Sequence, residues 1–245
     1  MSDANVDRKW EESDSEQFLK YDQALVPYRD KLEAVFIGLL PEDKQAFFKV
    51  VDICVGGGWL TESILTNYPN AHVIALDGSD RMIEFTKNRL NSFRDRVSFQ
   101  KFDLFEEGWT DNLAEIDFFV SSLAIHHLDD RGKQQLFRRL YLKMNDFGRV
   151  IIADIIKPEA EKSRIIAARE WDEIIKEQSI NLYGSLEAFD FFDKEKWNIF
   201  YYPDDEVDKP STISDQIKWL AQAGFEKNEV LFSHAGHALF SGMKG

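Results

Sequence analysis

The run Val50-Val-Asp-Ile-Cys-Val-Gly-Gly-Gly-Trp59 constrains this chain more than any other. A short β-branched segment passes through three consecutive glycines into a segment, 59–67, with helical spacing. Glycines at such a junction let the backbone approach a ligand closely, and the helix N-terminus offers unpaired N–H groups. Asp77 follows 19 residues after Gly58, at the end of a second apolar run, Ala71 to Leu76. An acid at about that offset can accept hydrogen bonds from both hydroxyls of a ribose. The nicotinamide fingerprint G-x-G-x-x-G, started at Gly56, would need glycine where Thr61 stands, so a pyrophosphate-binding reading fails.

The rest of the chain repeats the strand–helix alternation. Strands are expected at 97–102, 116–121 and 149–154, with helices between them. Ser79 is placed to cap one, and Leu136, Phe137, Leu140, Tyr141 and Met144 form the inner stripe of another. Asn145 to Gly148 reads as a turn. Alternation of this kind builds a parallel sheet covered on both faces. The pattern breaks at 157–210, where a helical stretch meets a region dense in aromatics. It resumes with a helix at 211–223, stopped by Gly224, and two strands, 229–233 and 238–242. Their link is too short for a helical crossover, so they form an antiparallel hairpin. The expected fold is α/β, a doubly wound, mostly parallel seven-stranded sheet whose last strand is antiparallel. Residues 1–42 are an arm and covering helix, the arm being a mobile acidic segment at 1–17. Residues 43–155 are the core, 156–210 an insertion, and 211–245 the completion of the sheet.

With 44% hydrophobic residues a large core is available. No run approaches the roughly 18 apolar residues that span a bilayer, and the polar, acidic first residues do not read as a signal or transit peptide. The single cysteine, Cys54, excludes an internal disulfide and a multi-cysteine metal site, and no metal is expected. The cytoplasm is the expected location. A net charge of −14, with no basic cluster larger than Arg138-Arg139, argues against a nucleic-acid partner.

These segments resemble the class I S-adenosylmethionine-dependent methyltransferases over roughly residues 45–155 and again over 211–245. The first motif is similar at Asp52, Cys54, Gly56 and Gly58. The second is similar at Ala75 to Met82, where the resemblance implies that Asp77, with Gly78 beside it, holds the ribose hydroxyls and Met82 packs near the adenine. The third is Phe102-Asp103-Leu104, implying that Asp103 accepts from the adenine amine and that Leu104 offers its backbone. The fourth is Phe119 to Leu128, implying contact of Ser121 with the methionine portion. The helix around Tyr21 and Tyr28 is expected to close over the donor, as such segments do in similar enzymes. The family has glycine where Cys54 stands, and Cys54 fits only if its φ stays negative.

The resemblance implies S-adenosylmethionine as cofactor and a small-molecule acceptor methylated on O or N, with no membrane. His126 and His127 follow the fourth strand at the ligand end of the sheet and are candidate bases, with Asp154 at the end of the fifth. Tyr28, His127, Trp171, Tyr183, Trp197 and Tyr201 are candidate acceptor contacts. The aromatics of 157–210 could equally build a lid core or a homodimer contact. One alternative is a tRNA wobble-uridine enzyme using S-adenosylmethionine or its carboxylated relative. Another is a non-catalytic protein that keeps the fold as a scaffold.

Overall fold

A computed structural model describes residues 12–203 and 206–245. Its centre is a seven-stranded sheet in the order β3-β2-β1-β4-β5-β7-β6. The strands are β1 (Lys49–Ile53), β2 (His72–Asp77), β3 (Val97–Lys101), β4 (Ile116–Ser122), β5 (Met144–Ile155), β6 (Glu226–His234) and β7 (His237–Met243). β1 pairs in parallel with β2 and β4, and β7 runs antiparallel to β5 and β6. The expected fold class is therefore the one observed. Strand order reverses between β1 and β4, and in such sheets a crevice opens beyond the strand ends at that point.

One face of the sheet is covered by α5 (Asp130–Lys143) and α8 (Ile213–Ala223). Leu136, Phe137, Leu140 and Leu220 pack there on Val51, Phe119 and Ile152. The other face carries α2 (Arg29–Gly38) and α3 (Trp59–Asn67), whose Leu32, Phe36, Leu60 and Ile64 meet Val50, Val73 and Ile151. α4 (Asp80–Arg89) begins where Ser79 accepts a hydrogen bond from the Met82 N–H at 3.1 Å, the cap expected from the sequence. A third apolar cluster joins α1 (Glu12–Leu25), α6 (Glu161–Tyr183) and α7 (Glu187–Lys194) through Tyr21, Trp171 and Phe192.

Two expectations are corrected. Asn145 to Gly148 lies inside β5 rather than forming a turn; the register with β4 shifts there, and Phe147 takes a φ of 64°, so the strand absorbs the irregularity as a bulge. Of the supposed mobile arm, residues 12–17 belong to α1, while 1–11 lie outside the described residues. Pro27 lies in the break between α1 and α2. Among the described residues, no helix is long and apolar enough to cross a membrane.

Candidate active site

A cavity of about 1290 Å³ opens beyond the carboxyl ends of β1, β2 and β4. Asp52, Cys54, Gly56, Asp77, Gly78, Met82, Asp103 and Leu104 all line it, so the first three motifs converge on one hollow. Burial pushes the Asp52 carboxyl up to about 7, against a 2.6 Å hydrogen bond donated by Thr61 Oγ1. Thr61, the residue that breaks the nicotinamide pattern, is thus the partner of the first acidic residue. Cys54 has a φ of 59°, so the condition of a negative φ is not met: a side chain occupies the left-handed position that glycine favours. Burial also pushes the Cys54 thiol up, which keeps it protonated. Gly58 is held for a different reason and does not line the cavity. A Cβ there would meet Thr86 Cγ2 at 2.5 Å, so only glycine lets α4 pack this close to the loop.

The Asp77 carboxylate accepts from the Gly56 N–H and the Ser79 N–H, both at 2.9 Å. Burial raises its pKa, opposed by these N–H groups. With the Gly78 backbone as a third donor, the carboxylate still keeps a lone pair for a ligand hydroxyl. Glu12 also lines the cavity, a residue the sequence reading left in the arm. Its carboxylate accepts from Ser79 Oγ at 2.7 Å and from the Asp80 N–H at 2.8 Å, at the positive end of α4. Ser121 does not line the hollow; its Oγ, fully buried, donates to the Ile53 carbonyl at 2.8 Å. The next residue, Ser122, does line it, and among the described residues its buried Oγ has no hydrogen-bond partner. The pleat of β4 turns successive side chains opposite ways, so a one-residue difference decides which serine serves the site.

At the other end the β4–α5 turn presents His126 and His127. The Asp154 carboxylate, 2% exposed, accepts from the His126 N–H at 2.7 Å and lies 2.5 Å from His126 Nδ1. Neither His126 nor Asp154 lines the cavity; His127 does. Asp208, which the sequence reading missed, lies 3.4 Å from His126 Nε2 and 3.2 Å from His127 Nδ1. Burial would lower the His126 pKa, but Asp154 and Asp208 outweigh it and hold the imidazole up at about 9. Asp208 is desolvated too, yet its bonds to the two histidines hold it below the usual carboxylate range. The segment bearing Asp208 is tied down by the Lys209 N–H, which donates to the His126 carbonyl at 2.8 Å. The buried Lys133 ammonium, which desolvation pulls down to about 8, bridges the carbonyls of Leu128 and Lys209.

The aromatic candidates fall elsewhere. Tyr21, Tyr28, Trp171, Tyr183, Trp197 and Tyr201 do not line this cavity. Tyr21 meets Tyr183 edge-on at 5.7 Å, Trp171 packs on Phe192, and Trp197 stacks near Phe18. Tyr28 lies against His234, and Tyr201 beside Tyr202 is 39% exposed. The wall at the histidine end comes instead from Leu123, Arg131, Gln135, Val207 and Lys209.

Residues 50–148 match the methyltransferase domain family. Over 118 residues the chain is 27% identical to acetylserotonin O-methyltransferase of Gallus gallus, covering 48% of this chain and 33% of that enzyme. Over 175 residues it is 30% identical to ribosomal RNA small subunit methyltransferase H of Synechococcus elongatus, covering 70% of this chain and 53% of that one. The chain thus spans at most about half the length of these relatives. The structure of human N-acetylserotonin methyltransferase in complex with SAM superposes with a TM-score of 0.61 at 17% identity, covering 96% of this chain and 57% of the human one, a likeness of fold. Domain match, strand order and the three motifs that converge on one hollow agree: residues 50–148 are a methyltransferase domain, and the sheet has the fold of the class I S-adenosylmethionine-dependent methyltransferases.

Proposed function

We propose that the protein is a methyltransferase that moves a methyl group from S-adenosylmethionine to an oxygen or nitrogen of a small-molecule acceptor. The observation that carries this reading is the single cavity that joins Asp77, Met82 and Asp103 at one end to His127 at the other. At about 1290 Å³ it exceeds the usual 300–1,000 Å³ of a pocket for one small ligand, which leaves room for donor and acceptor together. The residues suit the donor. Asp77 and Asp103 offer acceptors for hydroxyl and amine hydrogens, Met82 and Leu104 an apolar wall, and Ser122 an unpartnered buried hydroxyl.

The donor, when bound, supplies an electrophilic methyl group on a sulfonium, and the protein's contribution is to align the acceptor with it. Leu123, Leu128 and Val207 supply an apolar surface that excludes water from the acceptor end, and Gln135 offers a neutral polar contact. His127 is the imidazole on the cavity wall that can receive a proton from an acceptor hydroxyl or ammonium group. His126 and Asp154 act behind it, fixing the turn that carries it. A small acceptor fits the net charge of −14, which disfavours binding to a polyanionic backbone.

The test is calorimetric binding of S-adenosylmethionine to the parent and to Asp77→Ala, followed by transfer of labelled methyl to fractionated metabolites and to RNA. Binding lost in Asp77→Ala and label in a metabolite fraction are the expected results. Label in RNA alone, or donor binding unchanged in Asp77→Ala, would overturn the reading.

A further inference from the structure

We propose that His126 Nε2, His127 Nδ1 and Asp208 Oδ1 form a binding site for a divalent transition-metal ion beside the histidine end of the cavity. One ligand atom from each of the three residues lies within 4.8 Å of the other two, and Asp208 Oδ1 is 3.4 Å from His126 Nε2 and 3.2 Å from His127 Nδ1. Ligands held about 2.0–2.2 Å from one ion in tetrahedral or octahedral geometry stand roughly 3–3.5 Å apart, so two of the three edges have that spacing. The Val207 carbonyl oxygen lies 3.1 Å from His127 Nδ1, a hydrogen bond that an ion held by this nitrogen would replace.

The orientation of His126 supports the assignment independently. Its Nδ1 is bound to the buried Asp154 carboxylate at 2.5 Å, which keeps a hydrogen on Nδ1 and aims Nε2 at Asp208, so an ion bound there would displace only the Nε2 proton. A carboxylate behind a histidine is the usual outer support of a metal-ligating imidazole. Two imidazoles with one carboxylate favour a first-row transition metal over magnesium or calcium. The lone cysteine excludes only a multi-cysteine site, not one built from histidine and aspartate. Asp208 stands 81 positions or more from both histidines in sequence, and the fold brings it to them.

The site would also have a structural effect. It would staple the 206–211 segment, which forms part of the cavity wall through Val207 and Lys209, to the β4–α5 turn. His127 and Val207 line the cavity, so the ion would lie beside its acceptor end.

The experiment is titration of the chelator-stripped, untagged full chain with Co²⁺ and Zn²⁺, read by visible d–d absorption and calorimetry, without donor or acceptor. The expected result is one equivalent bound by the parent and affinity lowered roughly tenfold or more in Asp208→Asn and in His127→Gln. Circular dichroism checks the fold of each variant, and the second serves should the first not fold. Hydrogen exchange should show Zn²⁺ slowing the amides of 206–211 in the parent alone. No d–d bands, or equal affinity in a folded variant, would overturn the proposal. Donor binding is measured separately, so failure of the metal site leaves the methyl-transfer reading standing, and the reverse holds too.

Discussion

The Asp154 carboxylate grips His126 twice, at its backbone N–H and at its ring, across 28 residues of sequence. It thereby locks the end of β5 to the turn after β4, with both side chains almost wholly buried.

Removing one partner of that pair should be costly because the other remains desolvated. Asp154→Ala is expected to lose about 3 kcal/mol or more in urea unfolding. Adding His126→Ala should lose much less than the sum of the singles, the signature of coupled residues. Additive losses would show that the two contribute independently.

Cys54 holds a left-handed conformation at φ 59°, and replacing it with glycine should relieve the strain. The steric penalty of roughly 1–2 kcal/mol exceeds the extra chain entropy of glycine, so Cys54→Gly should gain about 0.5–1 kcal/mol in denaturant midpoint. At Gly58 the same logic reverses. Gly58→Ala places a Cβ 2.5 Å from Thr86 Cγ2 at a φ of 79°, and a loss of about 1–3 kcal/mol is expected.

His237 is buried against Trp171 with Nδ1 on the Ala235 carbonyl, and desolvation lowers its pKa to about 4. The unfolded chain binds the proton more readily, so this residue's contribution is intact above about pH 6.5 and disappears as pH falls toward 4. Between about pH 7 and about pH 4 the parent should lose about 3 kcal/mol more than His237→Phe does. Parallel stability curves for the two proteins would refute this.

Lys133→Met removes the donor that joins the Leu128 and Lys209 carbonyls. A loss of about 2 kcal/mol is expected. The Lys209 amide, which donates to the His126 carbonyl at 2.8 Å, should exchange much faster with deuterium. Unchanged exchange would mean that the segment is held by other bonds.

The parts of the site that were legible in the sequence are those whose chemistry is local. Gly56, Asp77 and Asp103 follow strand ends at short range, and their place in the cavity follows from the alternation of elements. Ser121 was misplaced by one residue because the phase of a pleat at a strand end depends on pairing, not composition. Glu12 and Asp208 were missed because each reaches its partners across 67 residues or more, and nothing beside either in sequence marks it. Trp171 and Trp197 show a further limit: an aromatic-rich insertion has the same composition whether its rings line a pocket or pack on one another.

The position of β7 between β5 and β6 bears on how the chain is made. As residues emerge in order from a ribosome, β5 is complete long before the segment 237–243 that must lie against it. During that interval the edge of β5 opposite β4 carries an open row of N–H and C=O groups, a template for pairing with another nascent chain. Ribosome-bound intermediates halted before residue 237 should therefore depend on holding chaperones far more than the released protein does.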